Sequence, residues 1–155
     1  MNAINGYDIE DLTVGMSASF TKTLTDADIT MFVGVSGDNN AVHIDDEFAA
    51  STPFKGRIAH GILTASFISA AIANRLPGPG VIYLGQNLKF KAPVRPGDTI
   101  EGYAQVREVY EKTGRSGRMV FVVRSTRYAN QHGEDVAAVE QTSAHRRVQP
   151  AAEGE

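Results

Sequence analysis

The chain of 155 residues contains no cysteine and no tryptophan. Without a thiol there is no disulfide, no thiolate nucleophile and no thioester built on the protein itself. Long apolar runs are missing too. No stretch reaches the roughly 18 apolar residues that a membrane-crossing helix needs. Met1–Phe20 carries Asp8, Glu10 and Asp11 where a signal peptide would have its apolar core. Positive charge is not in excess: 15 Lys and Arg stand against 18 Asp and Glu, for a formal net charge of -3. The basic stripe of a dedicated nucleic-acid binder is absent. "GVSGD", Gly34–Asp38, lacks the lysine of a phosphate loop, and no Gly-x-Ser-x-Gly element occurs. The histidines at 43, 60, 132 and 145 show no metal-ligand spacing. In "HIDDE", the acids that follow His43 do not all point the same way on an extended chain. The expectations are therefore no metal, no cofactor, no nucleic acid, no membrane span and a cytoplasmic location.

What is present suits a globular protein: 42% hydrophobic and 21% charged residues. The length fits one domain over residues 1–155, with a ragged lead-in to Leu12 and a frayed polar tail, Gln149–Glu155. Met16–Leu24 alternates weakly, as a strand does. Thr25 then reads as a helix N-cap with Asp26 and Asp28 in the first turn. Ile29, Phe32 and Val33 lie at helical spacing, and Gly34 and Gly37 close the helix. Asp46–Ala50 has room for a further helical turn or two. Gly61–Leu76, "GILTASFISAAIANRL", is apolar or small on nearly every side, which predicts a helix buried all round. Pro77-Gly78-Pro79-Gly80 ends it. Strand patterns follow over Val81–Lys91, Thr99–Tyr110, Arg118–Tyr128 and Val136–Ser143, separated by short turns. Short turns favour antiparallel pairing. A sheet with one apolar face needs a cover, and the apolar helix supplies it. The fold class is α+β, an antiparallel sheet curled around one central helix.

Two features carry chemistry. Asp38 and His43 stand in a turned or extended segment, close enough in sequence to converge. A carboxylate and an imidazole together can bind, orient and deprotonate a water and return a proton to a neighbouring carbon. The alternative is a turn-capping aspartate and a surface histidine. The second feature is "IAHG", Ile58–Gly61, at the start of the apolar helix. First-turn amides lack intrahelical acceptors and favour a developing oxyanion. Gly61 permits close approach. His60 lines that point or packs behind it. Ser69, inside the helix, more often returns its hydroxyl to the backbone.

The run "SGDNNAVHIDDEFAASTPFKGRIAHGILTASFISAAI" resembles the signature of the MaoC-like, (R)-specific enoyl-CoA hydratases, and the likeness continues through "GPGVIYLGQNLKFKAPVRPGDTI". It is strong over about Thr25–Ile100 and persists only in character in the later strands. The resemblance implies a single hotdog domain that adds water to trans-2-enoyl-CoA to give (3R)-3-hydroxyacyl-CoA, and a homodimer with acyl-CoA clefts at its interface. It places the catalytic aspartate on Asp38, the catalytic histidine on His43, the thioester-oxygen donor on the Gly61 N–H and the helix serine on Ser69. Asn40 matches the motif's asparagine and shapes the loop. Ala41 departs from the motif's usual proline, and Val42 from its leucine.

The acyl chain is expected among Phe48, Phe54, Ile62, Leu63 and Leu84, with small residues such as Ala65, Ala70 and Ala71 leaving room. Arg57, Lys89, Lys91 and Arg95 are candidate contacts for the CoA phosphates. The competing readings are a carrier-protein hydroxyacyl dehydratase, a hotdog thioesterase and a non-catalytic acyl-CoA-binding module.

Overall fold

The computed structural model describes residues 7, 11–115 and 117–146. The tail expected over Gln149–Glu155 and most of the lead-in lie outside these residues. The order is β1 (Ser17–Thr23), α1 (Asp26–Ser36), α2 (Ala41–Ile44), α3 (Asp46–Ser51), α4 (Gly61–Asn74), β2 (Val81–Phe90), β3 (Thr99–Gly114), β4 (Gly117–Ala129) and β5 (Asp135–Arg146). The strands form one sheet in the order β1-β3-β4-β5-β2, and each neighbouring pair is antiparallel.

The local signals act as their chemistry dictates. Thr25 caps α1 in a reciprocal capping box with Asp28, and Gly37 ends the helix in the left-handed region at φ 77°. Gly34 lies within the helix rather than closing it. The β3–β4 hairpin runs beyond the expected ends, to Gly114 and from Gly117, because its pairing continues past the alternating apolar core.

α4 lies against the sheet. Leu63, Ile68 and Ile72 pack with Leu24, Ile29, Ile100, Tyr128 and Val139 in the main core. The Tyr128 hydroxyl donates to the Ala65 carbonyl (3.3 Å), which ties the helix to β4. Gly102 on β3 is dictated by contact: a Cβ there would sit 2.1 Å from the Phe20 ring of β1. That ring in turn meets Tyr128 edge-on at 5.8 Å.

One expectation fails. α4 is not buried all round in a single chain. Leu63, Thr64, Ala65, Ile68, Ala71 and Ile72 are buried, whereas Ile62 is 56% exposed and Ser66, Ser69 and Ala70 face outward. A single sheet touches a helix along one stripe only, so the apolar far side stays open. No helix among the described residues is long and apolar enough to cross a membrane.

Candidate active site

Asn40 fixes the segment that carries Asp38 and His43. Its side-chain oxygen accepts from the Val42 N–H (3.2 Å) and starts α2. His43 therefore sits on a short helix, not on the extended stretch expected from the sequence. A single Asx cap made the difference, because it turns the chain immediately after Asn40. Ala41 is the first residue of that helix, the place where proline is best tolerated. Asp45 then caps α3 through the Phe48 N–H (2.9 Å), which gives that acid a structural task. Asp46 pairs with Arg57 (2.6 Å).

Asp38 is exposed. Its N–H donates to the Ser36 hydroxyl (3.1 Å), and its carboxylate accepts from the Asn40 N–H (3.3 Å). His43, 9% exposed, sets its Nδ1 2.8 Å from the Ile58 carbonyl. A carbonyl only accepts, so the proton belongs on Nδ1 and Nε2 keeps the lone pair. His60, 2% exposed, stacks on His43 with centroids 3.8 Å apart and sets its Nε2 2.9 Å from the Asp38 carbonyl. One polar atom of Asp38, His43 and His60 each lies within 4.8 Å of the others. One nitrogen of each ring already holds a main-chain carbonyl, which leaves one nitrogen per ring for other partners.

His60 is also the N-cap of α4, and its side chain makes no capping hydrogen bond. The first-turn amides, beginning with Gly61, remain available to a ligand. Gly61 cannot carry a side chain without moving its neighbour: a Cβ would lie 2.6 Å from the Phe90 ring. His43, Gly61, Phe54, Ile58, Thr64 and Phe90 line one recess of about 380 Å³, together with Lys91–Val94 and Val136.

The structure thus brings together Asp38, His43, His60, Gly61 and Phe54. It separates others. Leu63 is core. Ser69 opens into a second recess between α4 and β1, with Phe20, Lys22 and Ala70. Phe48 on α3 and Leu84 on β2 are about half exposed. Among the candidate CoA contacts, Arg57 is held by Asp26 and Asp46, and Lys91 by Asp135. Lys91 and Arg127 together hold the Asp135 carboxyl below the usual carboxylate range. Lys89 lies in a groove on the outer sheet face. Arg95 donates to the Phe54 carbonyl at the rim. Three participants had no sequence signal: the Ile58 carbonyl that orients His43, Phe32 behind His60 (4.9 Å), and Phe90 over Gly61.

A five-stranded antiparallel sheet laid against one long helix is the hotdog arrangement, and an acid and two imidazoles meet near that helix's N-terminus. Residues 12–129 match the family described as MaoC like domain, and the chain belongs to that family.

Its relatives include an (R)-specific enoyl-CoA hydratase of Rhodospirillum rubrum, 56% identical over 59% of this chain and 63% of that protein. The matched stretch is thus just under two thirds of the relative's length. A 3-hydroxybutyryl-CoA dehydratase of Methylorubrum extorquens is 45% identical over 69% of this chain and 68% of that protein. Among solved structures, R-hydratase PhaJ1 from Pseudomonas aeruginosa superposes with a TM-score of 0.81 at 37% identity, covering 97% of this chain and 99% of that one.

Proposed function

We propose that this protein is an (R)-specific enoyl-CoA hydratase, adding water reversibly to trans-2-enoyl-CoA to give (3R)-3-hydroxyacyl-CoA. The observation that carries the reading is the meeting of Asp38 and His43 beside an uncapped helix N-terminus at Gly61. Relatives named for this reaction supply the substrate class and its handedness.

The thioester oxygen accepts from the Gly61 N–H, which stabilises enolate character as the β-carbon is attacked. Water lies between Asp38 and the His43 Nε2. Its hydroxyl bonds to the β-carbon, and the proton released passes through the pair to the α-carbon. Proton transfer by positioned groups of this kind contributes about 10²–10⁴-fold. Phe54 flanks the acyl chain in the recess, and Asn40 and His60 hold the loop.

The proposal includes a cytoplasmic homodimer. Edge strand β2 exposes Ile82, Tyr83, Leu84 and Phe90, and α4 leaves Ile62 and Ser69 uncovered. A second copy covering these faces would bring Ile62, Ser69, Leu84 and Phe48 toward substrate, with Leu63 supporting from the core.

A carrier-protein substrate is the second reading, since a mitochondrial 3-hydroxyacyl-[acyl-carrier-protein] dehydratase of Arabidopsis thaliana is 32% identical over 79% of this chain. An acidic carrier needs free basic residues at the mouth. Arg57 and Lys91 are already paired with acids, which withdraws them equally from a carrier and from the CoA phosphates, so the choice rests on the assay.

The test is loss of enoyl-thioester absorbance with crotonyl-CoA and a medium-chain enoyl-CoA, followed by chiral analysis. The R product is expected. Turnover of the carrier-protein thioester alone would move the reading to the dehydratase. Thioester hydrolysis, or binding without water addition, would move it to a thioesterase or a binding module.

A further inference from the structure

We infer that His60 is a positioning residue: its Nε2–H holds the main chain of Asp38 in place, and its ring backs the ring of His43. The inference rests on the hydratase reading for its kinetic consequence, but not for its structural one.

Four observations meet at this side chain. The His60 Nε2 lies 2.9 Å from the Asp38 carbonyl, a bond that spans the gap between the α1–α2 loop and α4. The opposite nitrogen, Nδ1, is buried without a partner. A proton there would be a buried donor with no acceptor, so the proton belongs on Nε2, where the carbonyl accepts it. One face of the ring stacks on His43 at 3.8 Å and another side meets Phe32 of α1 at 4.9 Å. Finally, His60 directly precedes Gly61 as the N-cap of α4.

One side chain therefore links the three pieces on which the reaction depends: the loop of the carboxylate, the short helix of the imidazole and the helix start of the oxyanion donor. Asp38 is otherwise exposed, and its other contacts, to Ser36 and Asn40, are local to its own loop. Those local bonds shape the loop but do not register it against α4. The bond from His60 does, and a misplacement near 1 Å can cost about 10²-fold in rate.

Two substitutions separate the bond from the ring. His60→Gln reaches the Nε2 position with an amide N–H and loses the stacking ring. His60→Phe keeps a ring against His43 and Phe32 and loses the donor. The expected result is a kcat for His60→Phe lowered at least 30-fold, with KM within threefold of wild type, and a kcat for His60→Gln within about tenfold.

Hydrogen exchange at the Asp38 and Asn40 amides gives a readout free of catalysis. It should speed at least tenfold in His60→Phe and stay near wild type in His60→Gln. Should His60→Phe fail to fold, His60→Leu makes the same comparison. Wild-type kcat and unchanged exchange in the variant without a donor would overturn the inference. Equal losses in both variants, tracking a shared fall in Tm, would overturn it as well. A wild-type protein inert toward every enoyl thioester would sink the hydratase reading, while the exchange comparison still decides the role of His60.

Discussion

The imidazoles of His43 and His60 lie face to face, with centroids 3.8 Å apart and planes 30° from parallel. Each commits one nitrogen to a main-chain carbonyl, Ile58 for His43 and Asp38 for His60. The pair is held by the backbone from outside, and the nitrogen that the proposed mechanism uses is the His43 Nε2.

His43→Asn tests that division. The asparagine amide places an N–H near the position of Nδ1, so the bond to Ile58 survives while the Nε2 lone pair is lost. kcat is expected to fall about 10²–10⁴-fold with little change in KM. Asp38→Asn keeps an oxygen for the Asn40 N–H and should show a loss of the same order. Hydration kinetics with crotonyl-CoA, beside thermal melts, check both. Near-wild-type turnover by either folded variant would remove that residue from the mechanism.

Gly61→Ala introduces a methyl group 2.6 Å from the Phe90 ring, so the ring must move. Phe90 is about half exposed, which lets it swing aside with only a small loss of stability. kcat/KM is expected to fall at least tenfold, because the displaced ring and the methyl group both occupy the approach to the amide. Phe90→Ala in the same chain should recover part of that loss. Strictly additive effects in the double-mutant cycle would show that methyl and ring do not compete.

Ala41→Pro should stabilise the protein by about 0.4–1 kcal/mol with kcat unchanged. Ala41 opens α2, and the preceding Asn40, at φ -56° and ψ 129°, already has the extended backbone required before a proline. Denaturant unfolding measures the gain. A loss of stability would mean that the family's proline and this alanine require different loop geometries.

Asp28 gives the pH dependence. The Lys22 ammonium at 2.8 Å, with help from the Thr25 hydroxyl and N–H, pulls its carboxyl from 3.8 to about 2. A folded-state value below the ordinary one means that the ionised form favours the fold. The contribution is full above pH 3.8 and fades as pH falls through about 2. Asp28→Asn should cost about 1 kcal/mol at neutral pH, as for a weakened helix cap. The gap between variant and wild type should close on that acid limb. A gap as large at pH 2 as at neutral pH would assign the effect to packing.

The legible parts of the site were those with local causes. Thr25 and Gly37 act within one helical turn, so the start of α1 and its stop at Gly37 followed from residue type, while Gly34, also expected to close it, lies inside. Asp38, His43 and Gly61 stood out because the surrounding run resembles a family; spacing alone made the acid and the imidazole a plausible pair and no more. The α2 helix was missed because it depends on the Asn40 side chain turning back on its own backbone, and periodicity does not show that in so short a segment. The occupied states of Arg57 and Lys91 were likewise invisible: Asp26, Asp46 and Asp135 reach them across the fold.

By itself, the sequence determined the fold class and the order of the main helices and strands, because hydrophobic period, caps and turn residues act over a few positions, while the acid–imidazole pair was pointed to by a family resemblance. Only the tertiary structure decided what surrounds that pair. The Ile58 carbonyl that sets the tautomer of His43, the ring of His60 behind it and the Phe90 ring that crowds position 61 all come from other elements. It also decided that α4 is covered along one stripe only. A helix meets a single sheet on one side, and composition cannot say what meets the other.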